Sequence, residues 1–131
     1  MYRIFVSGII LLWATAAGAQ PRLANPASVN CTQQGGTLTI ERRPDGGEFG
    51  VCIFADNYQC EEWALFRGEC PKTGLRVTGF ATPAGRYCAI TGGRYSVTSP
   101  PGAMPELGTC ALQDGKVCEA EAYYGGTCPG R

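Results

Sequence analysis

The residues in this sequence with the clearest chemical potential are cysteines. The chain contains eight cysteines and no histidine. The absence of histidine excludes hydrolase sites that use an imidazole base and removes the commonest metal ligand. No two cysteines form a C-x-x-C pair, and the closest ones have seven residues between them. This spacing disfavours thiol oxidoreductases and four-thiolate zinc sites, so the cysteines indicate disulfide bonds.

A second group with chemical potential consists of the acidic residues Asp56, Glu61 and Glu62. Such carboxylates could bind calcium or act as an acid and base pair. Glu61 and Glu62 stand where a helix is expected to begin, however, and the helix dipole favours acidic side chains there. No serine has a lysine at a spacing that suggests a base. We therefore expect a non-enzymatic protein with no catalytic residue, no metal site and no cofactor.

The first residues of the chain predict export. Arg3 precedes an apolar run that ends in Ala17-Gly18-Ala19, which is typical of a signal peptide over residues 1–19 with cleavage after Ala19. The run is shorter than the roughly 20 apolar residues of a membrane-spanning helix, and no later stretch qualifies. In an exported chain, an even number of cysteines indicates a disulfide framework. We expect a periplasmic or secreted protein with no transmembrane segment after cleavage.

The cysteines fall into two matching sets of four. Their separations are 21, 8 and 10 residues in the first set and 22, 8 and 10 in the second. Nine of the 22 residues at positions 50–71 recur 58 residues later. The sequence therefore predicts two tandem units, at residues 25–71 and 82–129, joined by a linker at residues 72–81. The cysteines of the two sets are Cys31, Cys52, Cys60, Cys70, Cys88, Cys110, Cys118 and Cys128.

Each unit is expected to open with a short helix. Asn25 suits the N-cap, Pro26 the first helical position, and Gly35 the residue just past the end. The second unit offers the same three features at Thr82, Pro83 and Gly92.

The rest of each unit predicts two strands and a second helix. Apolar Leu38 and Ile40 alternate with polar neighbours at positions 37, 39 and 41, which is typical of a half-buried strand. Residues 44–47 then turn the chain into a second strand at residues 49–54, which contains Cys52. A short helix follows from Glu61 and ends before Gly68. The sequence thus predicts an α+β fold of two small disulfide-stapled units, each with the order helix-strand-strand-helix.

The disulfide pairing stays open, because four cysteines allow three pairings within a unit. The symmetry of the turn around Asp56 favours a hairpin bridge Cys52–Cys60, with Cys31–Cys70 tying the two helices together. The second unit should pair likewise. No bridge is expected between units, because the linker contains no cysteine. Units of this size usually need disulfides, since they bury too little apolar surface on their own.

The run NPASVNCTQQGGTLTIERRPDGGEFGVCIFADNYQCEEWALFRGECP at positions 25–71 resembles DUF333, an exported bacterial domain of unknown function that is often labelled a haemolysin. The motifs that match are Asn-Pro-Ala, Gly-Gly, Asp-Gly-Gly, Gly-Val-Cys, Cys-Glu-Glu-Trp-Ala and Gly-Glu-Cys. Positions 82–129 resemble a diverged second unit without the Glu-Trp pair and the Asp-Gly-Gly turn. The resemblance implies an exported bacterial protein and supplies no catalytic residue.

Two segments are candidates for binding. The aromatic residues of the second helices could form an exposed face, although in so small a domain we expect Trp63, Phe66, Tyr123 and Tyr124 to lie in the core. The proline-rich segment at positions 100–105 could be a rigid recognition loop. The candidate binding residues are Trp63, Phe66, Pro100, Pro101, Met104 and Pro105.

These observations favour a binding or envelope-interaction module whose partner is an unknown protein or envelope component. Basic and acidic residues number 11 each, so there is no electrostatic reason to expect nucleic acid as a partner. One alternative is a membrane-active protein, as the haemolysin label implies. Another is a small inhibitor of exported peptidases or lysozymes that presents the proline-rich loop.

Overall fold

The computed structural model describes residues 25–128, which form two units of the same α+β design. The first unit contains α1 (Pro26–Gln33), β1 (Thr37–Arg42), β2 (Glu48–Ile53), β3 (Gln59–Glu61) and α2 (Glu62–Phe66). The second contains α3 (Pro83–Ile90), β4 (Arg94–Val97), β5 (Gly108–Ala111), β6 (Val117–Glu119) and α4 (Ala120–Tyr124). The predicted α+β class is confirmed, and each unit adds a short third strand. The predicted signal peptide, residues 1–19, lies outside the described residues.

The first helix of each unit begins and ends where the sequence predicts. Asn25 Oδ1 accepts a hydrogen bond from Ala27 N at 2.9 Å, and Pro26 is the first helical residue. In the second unit, Thr82 Oγ1 accepts from Gly85 N at 3.1 Å. Gly35 and its counterpart just past α3 both have positive φ, at +89° and +93°, which glycine adopts without steric cost.

Each unit has a three-stranded antiparallel sheet, in the order β1-β2-β3 or β4-β5-β6. Residues 44–47 form the predicted turn, in which Gly47 N donates to Asp45 Oδ1 at 2.9 Å. A tight turn joins β2 to β3 through a short 3-10 segment, Ala55–Asn57. Asp56 and Asn57 there have φ values of 59° and 61°, in the left-handed region that Asp and Asn tolerate better than most residues.

The predicted disulfide pairing is wrong. The bridges are Cys31–Cys52, Cys60–Cys70, Cys88–Cys110 and Cys118–Cys128. Cys52 and Cys60 do lie opposite each other on β2 and β3, but each bonds to a cysteine in the helical layer above its strand. Cys31 in α1 lies over Cys52, and Cys70 after α2 lies over Cys60, with Cα separations of 5.6 and 6.0 Å. As predicted, every bridge stays within one unit.

The bridged cysteines define the inner layer of each unit. We call the side of each sheet that carries them the cysteine face and the opposite side the outer face. In the first unit the cysteine face packs against buried Ala64 and Leu65 of α2 and half-buried Leu38 of β1. The predicted alternation of β1 fails at Ile40, which is 57% exposed. Ile40 pairs with Gly50, and the space over Gly50 is taken by the Glu62 carboxyl group rather than by an apolar side chain.

The two units stack on each other as alternating helical and sheet layers. Helix α3 packs on the outer face of the first sheet, where Val51, Val77 and Ile90 form a buried cluster. Val77 belongs to the predicted linker. Leu75 in the same segment exchanges backbone hydrogen bonds with Gln59 at 2.9 and 3.0 Å. Within residues 25–128, no helix has the length and apolar character needed to cross a membrane.

Candidate functional site

A cleft of about 470 Å³ opens where the two units meet. The first unit contributes the outer face of its sheet and the start of α2, with Phe49, Glu61 and Trp63 among the lining residues. The second unit contributes Tyr87 of α3 and Tyr123 of α4. The cleft therefore exists only because α3 is seated on the first sheet.

Aromatic rings form most of the apolar wall of the cleft. The Tyr87 ring meets Phe49 edge-on with centroids 5.0 Å apart, and it lies 5.1 Å from the ring of Tyr123. Trp63 is 37% exposed and contacts the edge of Phe66, which is itself 48% exposed and does not line the cleft. The expectation that Trp63 and Phe66 lie in the core is wrong. The α2 helix turns its neighbouring residues Ala64 and Leu65 toward the cysteine face, so these two are buried instead.

The arginines of the cleft already have acidic partners. Arg43 Nη2 lies 3.1 Å from Asp45, and Arg67 Nε lies 3.3 Å from Glu69. A long 3.5 Å contact between Arg43 and the Tyr87 hydroxyl raises the pKa of the guanidinium further above its ordinary value. The buried Nε of Arg43 has no hydrogen-bond partner within the described part of the chain. Burial raises the pKa of the Tyr87 hydroxyl, and its contact with Arg43 partly opposes that change.

Glu61 differs from the arginines of the cleft, because its partners are backbone N–H groups rather than charged side chains. It caps α2, since its carboxylate oxygens accept hydrogen bonds from Trp63 N at 3.0 Å and Ala64 N at 2.9 Å. The residue is only 8% exposed. Burial raises the pKa of its carboxyl group, and the two backbone hydrogen bonds partly oppose that change. Among residues 25–128, no basic side chain forms an ion pair with Glu61.

The acidic residues considered for chemistry do not converge on one point. Glu61 lines the cleft on the outer face, whereas Glu62 turns to the cysteine face and accepts a hydrogen bond from Ser28 Oγ at 2.6 Å. Asp56 lies in the exposed turn before β3. Residues 25–128 contain no group of three or more His, Cys, Asp or Glu side chains arranged to hold a metal ion. Of Asp56, Glu61 and Glu62, only Glu61 therefore lines the cleft.

Comparison with known proteins agrees with the repeated design. Residues 22–69 and 79–127 each match the family model described as "Domain of unknown function (DUF333)". The chain belongs to the DUF333 family. The resemblance to DUF333 in two tandem units is thereby confirmed. The cleft thus lies between two DUF333 units of one chain.

Two curated relatives show how far this similarity extends. Both are called "Uncharacterized protein YdbJ", one from Escherichia coli K12 and one from Escherichia coli O6:H1 CFT073. Each is 31% identical to this DUF333 chain over 55 residues, which is 42% of this chain and 62% of the relative. The match thus spans less than two thirds of either relative. No solved structure matches.

The proline-rich loop of the second DUF333 unit is a separate surface. It connects β4 to β5 and is tied at its base, where Leu107 N donates to Ser99 Oγ at 3.0 Å and Thr98 N donates to Leu107 O at 2.9 Å. Met104 is 93% exposed, and the candidate prolines Pro100, Pro101 and Pro105 are exposed as well. None of these residues lines the cleft.

Sequence reasoning placed Trp63 among the candidate binding residues but missed the groups that face it across the cleft. The clearest of these is Tyr87, which occupies the position in α3 that Asn30 occupies in α1. Ile90 likewise stands where α1 has Gln33. The outward side of α3 is therefore more apolar than that of α1, a sign that something covers it. Aligning the two DUF333 units helix by helix could have revealed this contact.

Proposed function

We propose that this protein is a non-enzymatic binding module that acts outside the cytoplasm, and that its ligand occupies the cleft between the two DUF333 units. The cleft of about 470 Å³ supports this, because small-molecule sites typically measure about 300–1,000 Å³. Four disulfides support a location outside the cytoplasm, since such bonds persist in oxidising compartments.

The charges of the cleft favour one kind of ligand. Arg43 and Arg67 already have carboxylate partners, so a carboxylate ligand would compete with existing ion pairs. Within residues 25–128, Glu61 has no such partner. The rings of Trp63 and Tyr87 line the same cleft, and the face of an aromatic ring attracts a cation. A cationic group on an apolar body matches this combination. The carboxylate of Glu61, which lines the cleft with these rings and forms no ion pair within residues 25–128, is the observation that carries the proposal.

Trp63 supplies the reporter for a test. The sequence has two tryptophans, and the other, Trp13, falls within the predicted signal peptide. In the processed chain, fluorescence therefore reports on the cleft alone. We would titrate the oxidised protein with phenethylammonium and with uncharged 2-phenylethanol, which have similar shapes. The ammonium compound should bind with a dissociation constant of about 1 mM or tighter, and at least about tenfold more tightly than the alcohol.

Two variants locate the binding. Glu61→Gln keeps an oxygen that can cap α2 but removes the charge, so it should abolish the preference for the ammonium compound. Phe66→Ala removes an exposed aromatic side chain beside the cleft that does not line it, so it should leave binding unchanged. Equal binding of both compounds, or an equal loss in both variants, would contradict the proposal.

The exposed loop favours a second candidate, an inhibitor of exported peptidases or lysozymes. A loop that is tied at its base and carries Met104 at 93% exposure loses little conformational entropy on binding. Replacing residues 100–105 with a Gly/Ser stretch should abolish inhibition of a panel of such enzymes while the melting temperature changes little. Inhibition that survives this replacement, or no inhibition by the native chain, would rule the candidate out.

A further inference from the structure

We propose that the Cys118–Cys128 bridge is a thiol-exchange site, at which a low-molecular-weight thiol enters the cleft, attacks Cys128, opens the bridge and releases α4. The site does not depend on which ligand the cleft binds. Its evidence is a difference between two equivalent bridges, Cys60–Cys70 in the first unit and Cys118–Cys128 in the second. Both join the same positions of the repeat, but only the second bridge has a cysteine in the wall of the cleft.

The bridge of the first unit is covered by the chain that follows it. Cys60 is 0% exposed and Cys70 is 5% exposed. The carbonyl oxygen of Pro71 lies 3.3 Å from Cys60 Sγ, and Leu75 packs against the buried cluster that contains both cysteines. Leu75 is fixed in this place because its backbone exchanges two hydrogen bonds with Gln59. A small thiol can therefore reach this bridge only if the covering segment moves.

The bridge of the second unit has no such cover among the described residues. Cys118 is buried, but Cys128 is partly exposed, and it is the only one of the eight cysteines, all within residues 25–128, that is not buried. Cys128 lines the cleft together with Tyr123. Within the described chain, no residue of the second unit takes the place of Leu75. Cys128 therefore gives a small solute an approach to a disulfide in the folded protein.

Access decides which bridge reacts, because thiol–disulfide exchange requires a thiolate to contact a disulfide sulfur. The thiolate of the small thiol forms a new S–S bond to Cys128 Sγ while the S–S bond to Cys118 breaks. Cys118 leaves as a thiolate and takes up the proton that the small thiol lost. The products are a mixed disulfide on Cys128 and a free thiol at Cys118. One disulfide is present before and after the step, so it needs no oxidant or reductant.

Opening this bridge should loosen one wall of the cleft. The bridge ties the chain beyond α4 back to β6, and a helix of five residues is not stable without such support. Ring contacts would remain, since the rings of Tyr123 and Tyr124 each lie 5.1 Å from the ring of Tyr87. Helix α3 keeps its own bridge, Cys88–Cys110. We therefore expect a local opening of α4, which carries Tyr123, rather than unfolding of the unit.

The test treats the oxidised, processed protein with 2-mercaptoethanol, an uncharged small thiol, and stops the reaction at intervals with iodoacetamide. Peptide mapping by mass spectrometry should find the adduct on Cys128 and the alkyl group on Cys118 at least about tenfold earlier than opening of any other bridge. Hydrogen exchange of α4 should become faster in the same samples, while that of α2 stays unchanged. Opening of all four bridges at one rate would mean that only global unfolding exposes them. That result, or an adduct mainly on Cys118, would overturn the proposal.

One substitution in the first unit tests why the two bridges differ. Leu75→Ala removes the side chain that packs over the Cys60–Cys70 bridge, so exchange at that bridge should become at least about tenfold faster. Val77→Ala is the matched control, because Val77 lies in the same segment and is buried in the cluster on the outer face. It lowers stability without uncovering the bridge. Equal acceleration in both variants, or none in Leu75→Ala, would overturn the proposal.

Discussion

The packing inside the first unit makes a quantitative prediction about Gly50 and Glu62. The Glu62 side chain is buried, and its carboxyl group lies directly over Gly50. A Cβ atom added at Gly50 would lie 2.6 Å from Cδ, 2.7 Å from Oε1 and 2.9 Å from Oε2 of that carboxyl group. Ser28 Oγ donates to Oε2 at 2.6 Å and Asn25 Nδ2 to Oε1 at 3.4 Å. Gly50→Ala therefore has to displace a carboxylate that two neighbours hold in place.

The expected energies follow from these contacts. Losing a buried hydrogen bond to a charged group costs about 1.5–3 kcal/mol, while replacing glycine with alanine within a strand regains about 0.5–1 kcal/mol. Gly50→Ala alone should therefore lower the free energy of unfolding by about 1–2 kcal/mol. In a chain that already carries Glu62→Ala the space is free, so the same change should be neutral or slightly stabilising. The predicted coupling between the two sites is about 1.5–3 kcal/mol.

Urea unfolding of the four chains of this cycle, with all disulfides intact, measures the coupling. Gly108 provides a control within the same molecule, because it occupies the same position in the second unit. There the ring of Tyr95, rather than a carboxyl group, covers the glycine, and an added Cβ would lie 2.6 Å from its hydroxyl oxygen. Gly108→Ala should thus stay destabilising in the Glu62→Ala chain. Additive effects of Gly50→Ala and Glu62→Ala, within about 0.5 kcal/mol, would refute the reasoning.

Further predictions concern the interface, the cleft and the bridges. Arg86→Ala should lower the free energy of unfolding by about 1–2 kcal/mol, because the Arg86–Glu41 ion pair is only partly exposed. The ion pair between Arg42 and Glu48 is more exposed and should contribute under about 0.5 kcal/mol in the same urea unfolding assay. Trp63→Ala should lower the free energy of unfolding by less than about 2 kcal/mol, because Trp63 is partly exposed, whereas Leu65→Ala should lower it by about 2–4 kcal/mol, because Leu65 is buried. Because folding raises the pKa of Glu61 above its ordinary 4.5, the folded chain binds more protons there. The contribution of Glu61 to the free energy of unfolding should be fully present below pH 4.5 and be lost as the pH rises through the raised pKa of the folded chain. Glu61→Gln should remove this pH dependence. Peptide mapping of the exported chain should find a new N-terminus at Gln20 and the four bridges seen here, none between units.

The features that the sequence predicts correctly are those that depend on local chemistry. Asn25 caps α1 and Gly68 ends α2 because cap and stop residues act within a turn of their own position. The turn at Asp56 follows for the same reason. The duplication itself is readable because cysteine spacing does not require any knowledge of which residues meet in space.

The features that sequence reasoning missed depend on contacts between distant segments. Turn symmetry favours Cys52–Cys60, but the pairing is decided by which cysteine of the helical layer lies over each strand. Trp63 looks like a core residue in a small domain, yet the five-residue helix α2 can bury only one side. The cleft could not be predicted at all, since it requires α3 to pack on a sheet about 40 residues earlier in the chain.

Nuclear magnetic resonance of the ¹⁵N-labelled, oxidised chain tests the central claim most directly, because it shows where a ligand binds. On addition of phenethylammonium, we predict that the indole N–H resonance of Trp63 shifts together with the backbone resonances of Glu61 and Tyr87, while those of Met104 and Val117 stay in place. Shifts confined to the proline-rich loop or the second sheet, or no shifts at millimolar ligand, would contradict a binding site in the cleft between the two DUF333 units.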